Sequence, residues 1–421
     1  MKILFVTYYW PPCGGVSAQR ITHFVSELSK LGHECHVIIP ENPSYYTIDE
    51  TLLAAVHKNV VEHSVPIYDV TSLLKRFRKA NNTGNVKSQD GKWSTRVLKW
   101  IRANVFIPDP KVLWLRPVLL ECISLLKKES YDMVYTNGTP HSLHLVGLRL
   151  QEKYKLKWVA DFRDPWTGID FFEHLPLSRR AIKKHRELEN EVITKADRVI
   201  TVSPTWANQL SEIGNRDVKC ITNGYDTIIQ RQETDVFVIA HIGSLHADRD
   251  IGVIIEAMRN LSSEIDVKLQ LVGSVDSILI KKLRSIDVSV NIEVIGEVAH
   301  YEAKSYMASA SILLLPINQS RDSDGRIPAK LFEYLTTEIP ILALGDREGD
   351  AAKIISEANV GVTYAYTETN EIMDFVSNVA SGKYKTAPAK SVIGQYSRQY
   401  LSNQLAHLLL QLAEDNTHVA K

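Results

Sequence analysis

Residues Ser323 to Leu344, SDGRIPAKLFEYLTTEIPILAL, place a lysine and a carboxylate one helical turn apart. The segment reads as a loop, a helix start, a short helix and a strand. Gly325 and Pro328 keep the entry irregular, because proline fixes φ and restricts the residue before it. Lys330 then sits near the first turn and Glu333 a turn further on. Pro340 ends the helix, and Ile339 to Leu344 is an apolar run suited to a buried parallel strand. A lysine beside the free N–H groups of a helix N-terminus favours a bound phosphate. A carboxylate one turn along accepts hydrogen bonds from sugar hydroxyls. Together they point to a site for a nucleotide that carries a sugar.

Such a site needs a scaffold, and the chain predicts one with two halves. Lys2 to Thr7 is a β-rich run, followed by a Pro/Gly loop from Trp10 to Gly15 and a helical pattern from Ser17 to Leu31. Gly32 closes that helix and Cys35 to Ile39 is a second strand. This strand–loop–helix–strand unit opens a doubly wound parallel domain. The same grammar recurs at Val236 to Ile242, with a loop from Gly243 through Arg249, a helix at Ile251 to Leu261 and a strand at Val267 to Val272. Further strands are expected at Ile292 to Ile295 and Ile312 to Leu315, and helices near Tyr301 to Ala310 and Ala351 to Ala358. The fold class is therefore α/β, two Rossmann-like domains with doubly wound parallel sheets. The expected division is 1–228, 229–394 and a C-terminal helical segment 395–421 that packs back toward the first domain. The polar stretch DTIIQRQETDV near 226–236 serves as the linker.

Bulk composition sets outer limits. With 421 residues the chain is long for one core and comfortable for two. Lys+Arg and Asp+Glu both count 49, which argues against wholesale nucleic-acid binding. The cysteines Cys13, Cys35, Cys122 and Cys220 are scattered, with no Cys-x-x-Cys pair, as expected of a reducing cytosol without structural zinc or a disulfide framework. The ILFV run is too short for a signal-peptide core, and no stretch is long and apolar enough for a transmembrane helix. The reading is cytoplasmic.

Several other residues have chemistry that their position either uses or merely satisfies. Gly14 and Gly15 follow the first strand, as a plain turn or as a place where backbone approaches a ligand. His141, in GTPHS, lies just past the strand Met133 to Thr136, where such folds place ligands. Asp161, Arg163 and Asp164 follow the strand Trp158 to Ala160, either as an ion pair that fixes a loop or as groups that hold a sugar or an acceptor. Gly243, Ser244 and Arg249 occupy the loop after the second half's first strand. Gly296 to Ala299, with Val298, follow its third.

Between Lys75 and Arg116 eleven lysines and arginines face only Asp90 and Asp109, with Trp93, Trp100, Phe106 and Trp114 interleaved. This region, an insertion near 70–116, docks on anionic lipid with Trp at the headgroup level, or it is a solvated basic loop whose Trp residues pack inward.

The order and spacing of WPPCGGVSAQR (10–20), NGTPHSLHLVGLRL (137–150), WVADFRDPWTG (158–168), ADRVITVSP (196–204), ITNGYD (221–226) and IGSLHADRDIGVIIEAM (242–258) complete the picture. With these, the chain resembles the family 4 retaining glycosyltransferases of GT-B fold, whose two Rossmann-like domains face each other across a cleft. PHS together with ADFRDPW resembles a bacterial branch that builds surface polysaccharides. The resemblance implies transfer of a sugar, with retention, from a nucleoside-diphosphate sugar, UDP-linked by preference, to a hydroxyl of a lipid-linked or other saccharide. It implies His141, Arg249 and Lys330 as catalytic residues. Donor contacts would come from Gly14, Gly15, Gly243, Ser244, Gly296, Val298, Asp324, Gly325 and Glu333, and Arg163 and Asp164 would line the cleft. No metal and no other cofactor is implied. The family pairs two acidic residues separated by seven others. Glu333 matches the second, and Gly325 stands where the first belongs, with Asp322 and Asp324 nearby. The rival readings are a nucleotide-sugar 2-epimerase and a non-catalytic nucleotide-sugar binding protein. A dinucleotide dehydrogenase is excluded because PPCGG lacks the Gly-x-Gly-x-x-Gly spacing.

Overall fold

A computed structural model of the protein describes residues 1–67, 92–262, 265–287 and 289–415. The chain divides into two compact units, one of Met1–Thr222 with Ser402–Lys421 and one of Asn223–Leu401.

The first unit holds a seven-stranded sheet. Its strands are β1 (Lys2–Val6), β2 (Glu34–Glu41), β3 (Val61–Pro66), β4 (Met133–Gly138), β5 (Lys157–Phe162), β6 (Arg198–Thr201) and β7 (Lys219–Cys220). They are ordered β3-β2-β1-β4-β5-β6-β7, and every pairing is parallel. The central strands are apolar without alternation because helices cover both faces, and Ile3, Leu4 and Phe5 have no exposed surface. Helix Val16–Lys30 buries Ala18, Ile21, Phe24, Val25 and Leu28 at helical spacing, and Gly32 at φ 87° turns the chain into β2.

The second unit repeats the plan with six strands: β8 (Phe237–Ile242), β9 (Val267–Val272), β10 (Asn291–Gly296), β11 (Ile312–Pro316), β12 (Ile341–Leu344) and β13 (Gly361–Tyr364). Their order is β10-β9-β8-β11-β12-β13, again parallel throughout. In each sheet the strand order reverses once, between β1 and β4 and between β8 and β11. Just past the carboxyl ends of strands at such a reversal, doubly wound folds leave a crevice for ligands.

Three expectations change in detail. The helix of the segment Ser323 to Leu344 has only five residues, Lys330–Tyr334, because the Thr336 and Thr337 hydroxyls donate back to the carbonyls of Glu333 and Tyr334 and cap its end. So short a helix adds little dipole. The following strand starts at Ile341, since Pro340 has no N–H to give the ladder. The C-terminal helix starts at Arg398 and runs to Glu414, and a separate short helix, Lys390–Gly394, precedes it. Between them the Tyr396 carbonyl accepts from Tyr225 N at 3.0 Å. Within the first unit the end of the last helix is held by Lys157 Nζ, which donates to the carbonyls of Leu412 and Ala413, and by an Arg198–Asp415 ion pair of 2.8 Å.

The expected basic insertion lies outside the described residues from 68 to 91. Its remainder includes helix Lys92–Asn104. Trp114 is fully buried and donates its indole N–H to the Val65 carbonyl at 3.3 Å, so it serves the core. Trp100 is 49% exposed, and Ile101, Val105, Leu113 and Leu120 are exposed with it.

Candidate functional site

In the second unit the site is built at the ends of β8 and β11. β8 carries His241, fully buried in an otherwise apolar strand, and is followed by Gly243 at φ 112°. A Cβ at Gly243 would sit 2.7 Å from Lys330 Nζ and displace the end of that side chain, at a φ that itself favours glycine. Lys330 Nζ lies 3.2 Å from His241 Nε2, and His241 Nδ1 lies 3.1 Å from the Leu314 carbonyl on β11. Nε2 also lies 3.4 Å from the Ser244 carbonyl, but an ammonium only donates, so the bond to Lys330 takes the Nε2 lone pair and leaves the ring proton on Nδ1. Burial, together with the Arg249 charge, lowers the Lys330 pKa from its ordinary value to about 7. Burial and the neighbouring Lys330 push His241 well below the usual imidazole range, so it remains neutral.

Arg249 is held from two loops, those that follow β8 and β11. Its Nε donates to Asn318 Oδ1, just beyond β11, and its Nη1 to the Ser244 carbonyl at 3.4 Å. Ser244 itself is exposed. The structure thus brings Gly243, Ser244, Arg249 and Lys330 together at the strand-order reversal.

Glu333, a turn along the short helix from Lys330, accepts from His300 Nε2 at 2.6 Å. His300 opens the helix that follows Gly296 to Ala299, so Glu333 stands beside the β10 loop. Gly296, at φ 81°, accepts from Gly273 N at 2.6 Å, and Val298 packs against the core that holds Leu331 and Phe332. Gly325 N donates to the Asp324 carboxylate at 2.8 Å. Asp322 is buried, paired with Arg326 at 2.6 Å and bonded by Ser320 Oγ at 2.7 Å, so this acid is committed to holding its own loop. Asp322–Asp324 and Asp248–Asp250 have Asp-x-Asp spacing. Asp250 pairs with Lys282 and accepts from Gly252 N. Among the described residues no group of three or more His, Cys, Asp or Glu is placed to hold a metal ion.

In the first unit His141 is buried, stacked on Trp166 with ring centroids 5.1 Å apart and planes 7° from parallel. Its Nδ1 is buried without a hydrogen-bond partner among the described residues. Burial lowers its pKa to about 3, against a smaller opposing pull from Asp164, so the ring is neutral at physiological pH. Arg163 donates to Thr139 Oγ1 at 2.7 Å and to Asp164 at 2.7 Å, and its guanidinium stands 6.0 Å from the Tyr9 ring. Asp109 accepts from Ser142 N, Ser142 Oγ and Lys111 N, each at 2.9 Å, and burial raises its pKa. These residues gather at the ends of β1, β4 and β5.

Asp161 is structural. It has no exposed surface, and Arg20 binds it through Nε at 3.1 Å and Nη2 at 3.2 Å while Tyr135 donates its hydroxyl at 2.7 Å. His144 is equally buried, bonded to Thr136 Oγ1 at 2.9 Å and stacked on Phe162. Gly14 donates to the Thr47 carbonyl, and a Cβ there would press on Thr47 at 3.0 Å, so packing alone accounts for it. Gly15, at φ 87°, precedes the long helix and faces open space.

Sequence reasoning passed over Arg20, Asp109, His241, His300 and Asn318. His241 left a signal, a lone imidazole inside the apolar run FVIAHI, and so did Arg20, a charge on a helix of apolar periodicity. Asp109, His300 and Asn318 left none, since their partners are remote in sequence.

Residues 14–228, just over half of the chain, match the family model of Glycosyltransferase Family 4. The chain belongs to that family. No curated protein matches it. Among solved structures, the family 4 chain is similar to Alr3699/HepE of Anabaena in complex with UDP, at 16% identity over 98% of this chain and 100% of that one, with a TM-score of 0.65. It is also similar to sucrose-phosphate synthase of Thermosynechococcus elongatus, at 13% identity over 98% of each chain and a TM-score of 0.64. The lipopolysaccharide outer core galactosyltransferase WaaB matches at 14% identity over 98% of this chain and 99% of that one, with a TM-score of 0.61. At these identities the likeness is one of fold, and the fold of this glycosyltransferase is GT-B.

Proposed function

We propose that this family 4 glycosyltransferase moves a hexosyl group from a UDP-sugar to a hydroxyl of a lipid-linked saccharide in the synthesis of cell-surface polysaccharide, with retention at the anomeric carbon. The observation that carries the reading is the Lys330 ammonium, with Arg249 beside it, at the strand-order reversal of the second unit. Departure of a nucleoside diphosphate develops negative charge, and two cations fixed in advance stabilise it electrostatically. Arg249 adds a planar fork suited to two phosphate oxygens. The family resemblance supports UDP and retention, and the Alr3699/HepE structure solved with UDP-glucose supports UDP further.

In this reading Glu333 binds the ribose hydroxyls in place of, or together with, His300. The backbone around Gly296 and Val298 holds the base, and Gly243, Ser244, Asp324 and Gly325 contact phosphate and sugar. His141, neutral and fixed on Trp166, donates or accepts at the transferred sugar, and Arg163 and Asp164 meet the acceptor. The chemistry needs neither a metal nor a further cofactor, because the two cations meet the leaving-group charge.

Acceptor delivery rests on helix Lys92–Asn104, where exposed Trp100 and Ile101 stand among exposed Arg96, Lys99 and Arg102. An amphipathic basic helix of this kind suits an anionic headgroup layer, which supports a peripheral position on the inner face of the cell membrane. Among the described residues no helix is long and apolar enough to cross a membrane.

Donor-saturation kinetics of Lys330→Ala and Glu333→Ala test the site. Loss of turnover is expected for the first, by about 100-fold or more, and a raised donor KM for the second. Wild-type transfer in both variants refutes the site, and release of an epimerised nucleotide sugar without acceptor refutes the reaction.

A further inference from the structure

We infer that His241 is a positioning residue for the donor diphosphate: it holds the Lys330 ammonium by one N–H and leaves the other two aimed at the phosphates. The inference rests on the nucleotide-sugar reading of this site and adds the residue that orients its lysine.

His241 Nδ1 lies 3.1 Å from the Leu314 carbonyl, and Nε2 lies 3.2 Å from Lys330 Nζ and 3.4 Å from the Ser244 carbonyl. An ammonium only donates, so the bond to Lys330 takes the Nε2 lone pair and leaves the ring proton on Nδ1, facing the nearer carbonyl. Among the described residues it is the one hydrogen-bond partner of that ammonium, and no carboxylate pairs with it. Lys330 is half-buried, and with one of three donors used its ammonium has two left to meet a ligand. Arg249, itself held by Asn318 and the Ser244 carbonyl, adds positive charge that makes an anion the fitting occupant.

The backbone around the pair is drawn in to suit. Gly243 N donates to the Val272 carbonyl at 2.7 Å and Gly273 N to the Gly296 carbonyl at 2.6 Å, so three loops at the ends of β8, β9 and β10 run close together. Gly243 and Gly273 both take positive φ, and a Cβ on Gly273 would meet the Gly243 carbonyl at 2.6 Å. The space so preserved is the one the Lys330 side chain crosses to reach His241. A neutral imidazole suits this place better than a carboxylate, because a carboxylate would neutralise the lysine and compete with the phosphates.

His241→Asn and His241→Gln separate this role from packing. Asn keeps the bond to the Leu314 carbonyl and puts nothing at the Nε2 position, whereas Gln reaches that position with its amide oxygen. Binding of UDP, GDP and ADP, each with its glucose diester, is measured by titration calorimetry in both variants, with and without Lys330→Ala. For whichever nucleotide the wild type binds, Asn is expected to weaken binding by about tenfold and Gln by less than about threefold. In the Lys330→Ala background His241→Asn is expected to change affinity by less than about twofold. Equal binding by wild type and His241→Asn overturns the inference while leaving the donor site intact. An equal loss with and without Lys330 also overturns it, since the imidazole then acts through packing alone. A wild type that binds none of the six ligands overturns the nucleotide-sugar reading and this inference with it.

Discussion

Donor binding should weaken steeply as pH rises through neutrality, with Lys330 as the titrating group. Burial and the Arg249 charge lower its pKa from 10.5 to about 7 in the free protein. The sign follows directly: below about 7 the ammonium is present and meets the diphosphate, and above it the amine is neutral. The flanking groups do not blur the effect, because His241 stays neutral and Arg249 stays charged throughout. A nucleoside-diphosphate sugar, being a diester, is fully ionised over the whole interval. The protonated fraction of the free lysine drops from about three quarters at pH ~6.5 to about one hundredth at pH ~9, so affinity falls up to ~80-fold, or ~2.6 kcal/mol. The floor is the lost charge-assisted bond itself, about 1.5–3 kcal/mol. Calorimetry in buffers of different ionisation enthalpy gives a second readout, an uptake of about one proton on binding near pH 8. Destabilisation cannot mimic the loss. The unfolded chain keeps the lysine proton up to about 10.5, so between ~7 and ~10.5 it binds more protons than the native state, and stability from this group rises with pH. A donor affinity constant within about twofold from pH ~6.5 to ~9, with no proton uptake, would refute the placement of the ammonium against the diphosphate.

Three further outcomes follow from contacts elsewhere. Gly243→Ala puts a Cβ 2.7 Å from Lys330 Nζ at a φ of 112°, so donor affinity should fall by about tenfold or more, with about 1–3 kcal/mol of strain visible as a lower melting temperature. Asp161→Ala leaves Arg20 buried without its counter-charge, which costs about 3–5 kcal/mol and lowers the melting temperature by roughly 6–20 °C, while Asp161→Ala with Arg20→Leu should recover part of the loss. Replacing Trp100 and Ile101 together with serine should abolish salt-sensitive cosedimentation with vesicles containing anionic lipid and leave transfer to a soluble acceptor unchanged; wild type that does not sediment removes the membrane step.

What the chain disclosed in advance, and what it withheld, divides along a physical line. Local periodicity carried the scaffold. Val267–Val272 is a strand over the very residues the apolar run predicts, and most other elements shift by one or two residues at their ends. The five-residue helix at Lys330 was less legible, because what shortens it is a pair of threonine hydroxyls whose local bonds compete with the helix ladder. Lys330 could be singled out because a cation near a helix start is read from local pattern, and Arg249 because the family resemblance implies a cation in that loop. Their neighbours could not, since His241 meets Lys330 from 89 positions away and Asn318 meets Arg249 from 69. The same holds for Asp161. Sequence left it open between an ion pair and a ligand contact, and the answer lay 141 residues away in Arg20. Pairing across a doubly wound sheet is set by strand order, which no local window contains. Reading the order β10-β9-β8-β11-β12-β13 turns a lone histidine in an apolar strand into the group beside the lysine, because β8 and β11 flank the reversal where the fold leaves room for a ligand. In the proposed donor site the imidazole thus serves to orient the ammonium toward a diphosphate, where an apolar side chain would only fill space.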